Sequence, residues 1–370
     1  MHLTIRSLAI AVLLASPLAA AAQDAVPDDV REARPSVAAP GIADLSGAFE
    51  ALQPLETVVI ARKGEIVLDR GFRGNRTDRA TNIKSASKSV ISALVGIAID
   101  KGILEGPDQK IASVLSGSFP ADHDPRLDDV TIGNLLSMQA GLERTSGSNY
   151  GGWIASRNWV SNALARPFVD EPGGTMLYST GSTHLLSAIL TRASGKPTRQ
   201  LAREWLSPAG ATVSGWERDP QGIDLGGNQT AMTPRALLAF GEIYRRGGLD
   251  ADGRRVVSQS WIDESWTPRT RSRFTGESYG YGWFLSRFAG HDGAYGWGYG
   301  GQMIYVIPDL ELTIAITSDE SQPSGRSGYV RQLHRIVAEQ VVPAAEAAMQ
   351  AEGGDCLLYT SPSPRDRQKS

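Results

Sequence analysis

Two stretches patterned as β-hairpins stand at opposite ends of the folding part of this 370-residue chain, and what lies between them reads as helices and loops. Residues 57–61 and 65–70 are β-rich runs around Arg62-Lys63-Gly64, a hairpin signal. Residues 302–307 and 312–317 flank Pro308-Asp309, whose proline fits the first central position of a turn. Residues 328–341 follow with Val330, Leu333, Ile336, Val337 and Val341 at helical spacing, which predicts a helix packed on that sheet. In the middle, residues 131–138, 154–165, 183–192, 199–206, 234–245 and 260–266 read as helical or loop-like, separated by Gly, Pro and Asn. The pattern predicts an α+β protein whose N- and C-terminal segments meet in one antiparallel sheet, with a mainly helical lobe between them. Active sites favour the seam between two such parts. The expected domain covers residues 42–345, and no internal repeat divides it.

Ser85-Ala86-Ser87-Lys88 places a hydroxyl and an amine one helical turn apart, just before an apolar run over residues 90–99. Residues at i and i+3 share a helix face, so Lys88 can reach the Ser85 hydroxyl. Serine is a poor nucleophile until a base takes its proton, and a buried lysine of lowered pKa can be that base. Of the seven lysines, only Lys88 has a serine three places before it. Taken alone, the tetrapeptide also fits an N-cap serine beside a solvated lysine at an ordinary helix start.

The net charge of −3 and the absence of a basic run before the C-terminal tail argue against a nucleic-acid partner. Arg6, an apolar stretch and the small residues through Ala22 have the form of a secretory signal peptide over residues 1–22. That stretch is short and broken by Pro17, so no integral membrane segment is expected after cleavage. A periplasmic or secreted location follows, and residues 23–41 read as a Pro-, Asp- and Ala-rich lead-in. The single cysteine, Cys356, opens a segment resembling a translated sequencing-library adapter, so residues 356–370 are expected to be non-native. No thiol or disulfide chemistry is then expected.

Two further polar elements stand out. Tyr178-Ser179-Thr180 follows Pro172-Gly173-Gly174 on a tight loop, and Trp297-Gly298-Tyr299-Gly300-Gly301-Gln302 opens a strand. Glycines there would let backbone approach a substrate, and strand-edge N–H groups could serve an oxyanion hole. With Ser85 and Lys88, in this order and spacing, these elements resemble the serine β-lactamase and penicillin-binding-protein superfamily. The likeness is to its class C-related branch of esterases and 6-aminohexanoate-dimer hydrolases. Asn82-Ile83-Lys84, Lys101-Gly102-Ile103-Leu104, the run from Thr131 to Leu142 and the late hairpin add to it.

The resemblance implies a β-lactamase/DD-peptidase-like fold and a serine hydrolase without cofactor or metal. Ser85 would form the acyl-enzyme, Lys88 accept its proton, and Tyr178 share proton transfer and serve the leaving group. The backbone N–H groups of Ser85 and Gln302 would form the oxyanion hole, with Tyr299, Gly300, Gly301 and Thr180 around the substrate. Trp153, Tyr150 and Trp297 are candidates for an apolar acyl pocket, and equally for packing aromatics.

Two departures bear on the substrate. Thr180 stands where the family commonly has an asparagine that contacts the lysine, and Tyr299 stands where penicillin-recognising members carry a cation for a carboxylate. The expected substrate is therefore a small ester or amide. The alternatives are a β-lactamase or DD-peptidase, and a non-catalytic periplasmic binding or sensor protein of the same fold. Gly276-Glu277-Ser278-Tyr279-Gly280 matches the nucleophile elbow of α/β-hydrolases, but a strand is expected after it where that motif needs a helix. His123, His184, His291 and His334 lack metal-ligand spacing. His184 and His334 read as packing or helix-surface residues, and His291 as a possible substrate contact near the third element.

Overall fold

The computed structural model describes residues 41–321 and 328–358, with side chains through residue 352. The signal-peptide segment, nearly all of the lead-in and residues 359–370 lie outside the described residues. Among the described residues eleven strands form two sheets: β1 (Leu55–Arg62), β2 (Glu65–Gly71), β3 (Thr81–Asn82), β4 (Val213–Trp216), β5 (Thr230–Met232), β6 (Thr270–Arg271), β7 (Ser278–Tyr279), β8 (Phe284–Phe288), β9 (His291–Gly298), β10 (Gln302–Ile307) and β11 (Leu312–Ser318). The large sheet runs β2-β1-β11-β10-β9-β8-β7-β6, and β3-β5-β4 form the small one.

The two ends of the chain meet as expected, because β1 pairs antiparallel with β11 in the register Val59 to Ala315 and Ile60 to Ile314. A strand paired on both sides and covered on both faces is apolar along most of its length. Accordingly β10 and β11 are buried at every residue, whereas the edge strand β2 is mostly exposed. The first hairpin turns through Lys63 and Gly64, both at positive φ, the conformation a two-residue turn needs to match strand twist. The second turns through Pro308–Leu310 into Glu311, also at positive φ.

One face of the large sheet carries the two C-terminal helices, and the other carries the helical lobe. The elements concerned are α1 (Ser87–Asp100), α2 (Thr180–Ser194), α3 (Pro234–Arg245), α4 (Tyr329–Ile336) and α5 (Val342–Leu358), the last two joined by a π-helical turn at Val337–Val341. Each face has its own core. Val90, Leu94, Leu186, Leu237, Ile304 and Ala315 belong to one, and Ile60, Phe284, Tyr305, Ile316, Leu333 and Val341 to the other. Helix α1 is buried from Ser87 through Ala98. A helix wrapped on all sides needs no polar stripe, and each fully buried Val, Leu or Ile on it contributes about 1.5–3 kcal/mol. This is the helix that presents Lys88.

Several helix limits differ from the sequence expectation, for local reasons. The expected helix over 154–165 is two, Tyr150–Ile154 and Trp159–Leu164, because the Asn158 side chain accepts the Ser161 N–H and caps a new start. The helix expected over 131–138 ends at Leu136, and Met138 adopts φ +64°. Its start is a capping box between Thr131 and Asn134. Among the described residues no helix is long and apolar enough to cross a membrane.

Candidate active site

Ser85 sits in a single 3-10 turn, Lys84–Ala86, that leads into α1. The turn is entered through Lys84 at φ +49°, a conformation that costs a non-glycine residue about 1–2 kcal/mol. It is held by the Lys84 N–H donating to Asn82 Oδ1 at 2.9 Å and by Ser87 Oγ donating to the Lys84 carbonyl at 2.7 Å. Strand β9 lies directly behind. A Cβ on Gly298 would stand 2.3 Å from the Ile83 carbonyl oxygen, and one on Gly296 would stand 2.9 Å from Ser89 Oγ. Glycines 296 and 298 thus let the Ser85 turn lie against the sheet, a role beyond the substrate approach expected of the third element.

Lys88 is 2% exposed, and its Nζ donates to the Gly227 carbonyl at 2.8 Å, Ser85 Oγ at 3.1 Å and Thr180 Oγ1 at 3.3 Å. Burial lowers its pKa to about 7, because an ammonium removed from water loses its hydration. The amine lies 4.9 Å from the centre of the Tyr178 ring. Burial pushes the Tyr178 phenol up to about 12, against a smaller pull from its contact with Ser85. Tyr178 is placed by the Leu177 N–H donating to the Met138 carbonyl and by its ring stacked on Phe284 at 6.3 Å. Ser85, Lys88, Tyr178 and Thr180 are therefore brought together from two segments far apart in sequence. The Thr180 hydroxyl also keeps the contact with Lys88 that the loss of an asparagine put in question.

The third element forms the turn between β9 and β10. Gly300 and Gly301 take φ +88° and +101°, and Tyr299 is 48% exposed. Gln302 is fully buried, its amide locked to the main chain of Ser318 by bonds of 2.6 and 3.1 Å. Only its backbone can therefore serve a substrate. Gln302 pairs in the ladder with Gly298, the residue that lies against the Ser85 turn.

Two aromatic candidates are core residues. Trp153 is 0% exposed, packed with Trp159 and Leu225, and its Nε1 donates to the Trp159 carbonyl at 2.9 Å. Trp297 is 7% exposed and faces Phe284 across the sheet from Gly296 and Gly298. Neither takes the pocket-lining place considered for it. Tyr150 alone stays half-buried, its hydroxyl accepting from Asn228 Nδ2 at 2.8 Å. His291 sits at the far end of β9, between Asp309 at 2.5 Å and Glu346 at 2.9 Å, so it is removed from the turn it was expected to neighbour. His184 is buried against Asp219 and His334 among Phe288, Tyr295 and Tyr305, both as packing residues. Ser278 lies in β7 with strand β8 after it, which removes the elbow reading. It lines a cavity of about 470 Å³ with Trp266, Arg271, Leu285 and Asp292, and Ser85 takes no part in that cavity.

Sequence reasoning missed the segment over α1 that runs through Gly226-Gly227-Asn228. A Cβ on Gly227 would fall 2.8 Å from Lys88 Cγ, and one on Gly226 would fall 2.1 Å from the Thr183 carbonyl oxygen. The glycine doublet was the available signal. It also missed Thr145 and Ser146, whose hydroxyls accept the N–H groups of Gly181 at 2.7 Å and Thr180 at 2.8 Å and so cap α2 from another loop.

The Beta-lactamase family matches residues 29–339 of the chain. A 6-aminohexanoate-dimer hydrolase of Paenarthrobacter ureafaciens is 23% identical over 247 residues, and the match spans 60% of this chain and 60% of that relative. A family VIII carboxylesterase of known structure superposes with a TM-score of 0.64 at 19% identity, covering 85% of this chain and 99% of that one. EstCE1, a hydrolase with promiscuous acyltransferase activity, gives a TM-score of 0.64 at 17% identity over 80% and 96% of the two chains. At these identities the likeness to the solved structures establishes the fold.

Proposed function

The chain belongs to the Beta-lactamase family, and we propose from that premise that it is a serine hydrolase cleaving a small, uncharged ester or amide through an acyl-enzyme on Ser85. The observation that carries this is the 3.1 Å contact between Ser85 Oγ and the amine of Lys88, which burial brings to about 7. An amine titrating there is free base in large part at neutral pH and can take a serine proton.

In the proposed reaction the Ser85 proton passes to Lys88 Nζ as Oγ bonds to the carbonyl carbon. The bond from that carbon to the leaving oxygen or nitrogen then breaks. The leaving group takes a proton through Lys88 and Tyr178, whose phenol stays protonated at neutral pH. Water attacks the acyl carbon, its proton returns through the same groups to Ser85, and the acid departs. The backbone N–H groups of Ser85 and Gln302 are the proposed donors to the oxyanion. A neutral acyl group is supported by Tyr299 at the turn and by Lys84, whose ammonium is taken up by Glu320 at 2.9 Å and Gln229 at 3.2 Å. The relatives named as a dimer hydrolase and a carboxylesterase agree with an amide or ester. The signal-peptide pattern of residues 1–22 supports action in the periplasm or outside the cell.

Hydrolysis of p-nitrophenyl butyrate as a function of pH tests the proposal. The expected result is a kcat/KM that rises through about pH 7 and levels off, and that disappears in Lys88→Ala. Unchanged turnover in Lys88→Ala would overturn it.

A further inference from the structure

Lys88 can act as a base only if its lone pair faces Ser85, and what fixes that direction lies on the other side of the amine. A neutral amine has two N–H donors and one lone pair. Its three partners are Ser85 Oγ, the Gly227 carbonyl and Thr180 Oγ1. The carbonyl can only accept, so one N–H points there. The direction of the Thr180 hydroxyl then decides the rest. If Thr180 accepts the second N–H, the lone pair is left for the Ser85 proton. If Thr180 donates, it occupies the lone pair and Lys88 is blocked as a base.

Ser146 decides between the two. Its Oγ lies 3.1 Å from Thr180 Oγ1 and accepts the Thr180 backbone N–H at 2.8 Å. A hydroxyl has two lone pairs, so Ser146 can accept the Thr180 hydroxyl as well. Ser146 is half-buried, and its own hydrogen can be given to solvent. Thr180 is buried, and its hydroxyl has Lys88 Nζ and Ser146 Oγ as its partners. Without Ser146, the acceptor left in reach of the Thr180 hydrogen is the Lys88 lone pair.

We propose that Ser146 is a positioning residue which, by accepting the Thr180 hydroxyl proton, keeps the Lys88 lone pair on Ser85. The inference rests on the proposed Ser85 acyl-enzyme. It assigns Thr180 the orienting part that an amide would otherwise play, and it makes an unusual demand on double substitutions. Ser146→Ala turns Thr180 into a competitor for the lone pair. Thr180→Val removes the competitor along with one acceptor. The second substitution should therefore relieve the first.

The test is the burst of p-nitrophenolate from p-nitrophenyl butyrate, read by stopped flow on the full chain with peptide mapping of the acylated residue. Ser146→Ala is expected to lower the acylation rate at least about tenfold with little change in KM, since a misdirected group commonly costs one to two orders of magnitude. Ser146→Thr should recover most of that loss. Thr180→Val should lose less than Ser146→Ala, and the double variant should return to the Thr180→Val level. Loss of a helix cap alone predicts lower melting temperatures with independent, multiplying effects on rate. If Ser146→Ala does not fold, Ser146→Cys, a poor acceptor of similar size, takes its place. Wild-type acylation on Ser85 with multiplying losses, or with Ser146→Ala within about twofold of wild type, would overturn this inference alone. Absence of any acyl group on Ser85 in the wild type would overturn the proposed function and this inference with it.

Discussion

Replacing Lys88 by methionine is expected to inactivate the protein while making it more stable at pH 6, a gain that shrinks to about nothing by pH 9. Burial lowers the amine from 10.5 to about 7. Between these values the unfolded chain binds a proton that the folded protein has released, so stability rises with pH across that window. Below about 7 both states carry the charge, and the folded protein bears the full penalty of an ammonium out of water. At about 1.4 kcal/mol per tenfold in proton affinity, that penalty is about 5 kcal/mol at pH 6 and about 2 kcal/mol at pH 9. Methionine removes it, but leaves the Gly227 carbonyl without its donor, a loss of about 1–3 kcal/mol. The second quantity does not change with pH and cancels in the comparison. Urea unfolding of both proteins at pH 6 and pH 9 should therefore show the variant gaining about 3 kcal/mol more at the lower pH. An equal effect at both pH values would refute the lowered pKa and, with it, Lys88 as a neutral base.

Two other substitutions probe the rest of the site. Tyr178→Phe should slow hydrolysis of alkyl esters and amides by about 10²–10⁴, the usual worth of a positioned proton donor, and slow p-nitrophenyl esters far less because their leaving group needs no proton. Comparing kcat for ethyl and p-nitrophenyl butyrate measures the difference, and equal losses would remove Tyr178 from leaving-group protonation. Gly298→Ala places a Cβ 2.3 Å from the Ile83 carbonyl oxygen, so the nucleophile loop must shift. A displacement of about 1 Å there is worth about 10²-fold in kcat, and a variant with wild-type kcat would show that the loop has room to spare.

The parts of the fold governed by local pattern were legible in the sequence. Lys63-Gly64 marked the first hairpin, Pro308-Asp309 the second, and the spacing of Val330, Leu333 and Ile336 marked the helix behind them. Meeting of the two hairpins as β1 and β11 followed from the mainly helical reading of the segment between, although the short strands β3 to β7 and the longer β8 and β9 in that segment were not read as parts of the sheets. Ser85 and Lys88 were legible because their relation is local to one turn. What escaped is what depends on distant packing. Gly227 meets Lys88 across the lobe, Ser146 meets Thr180 from another loop, and no local period reports either contact. His291 and Trp153 misled for the same reason. Neighbourhood in sequence to an interesting motif says nothing about which end of a strand, or which side of a helix, a side chain occupies. The split at Asn158 was not read from the sequence, because the apolar spacing on both sides of it read as one helix.

The central claim, that Ser85 activated by Lys88 forms the acyl-enzyme, is met most directly by peptide mapping of the folded protein after reaction with a fluorophosphonate probe. A single adduct on Ser85, lost in Lys88→Ala, is the expected result. An adduct on Ser278 instead, or a folded protein with no adduct at all, would contradict it.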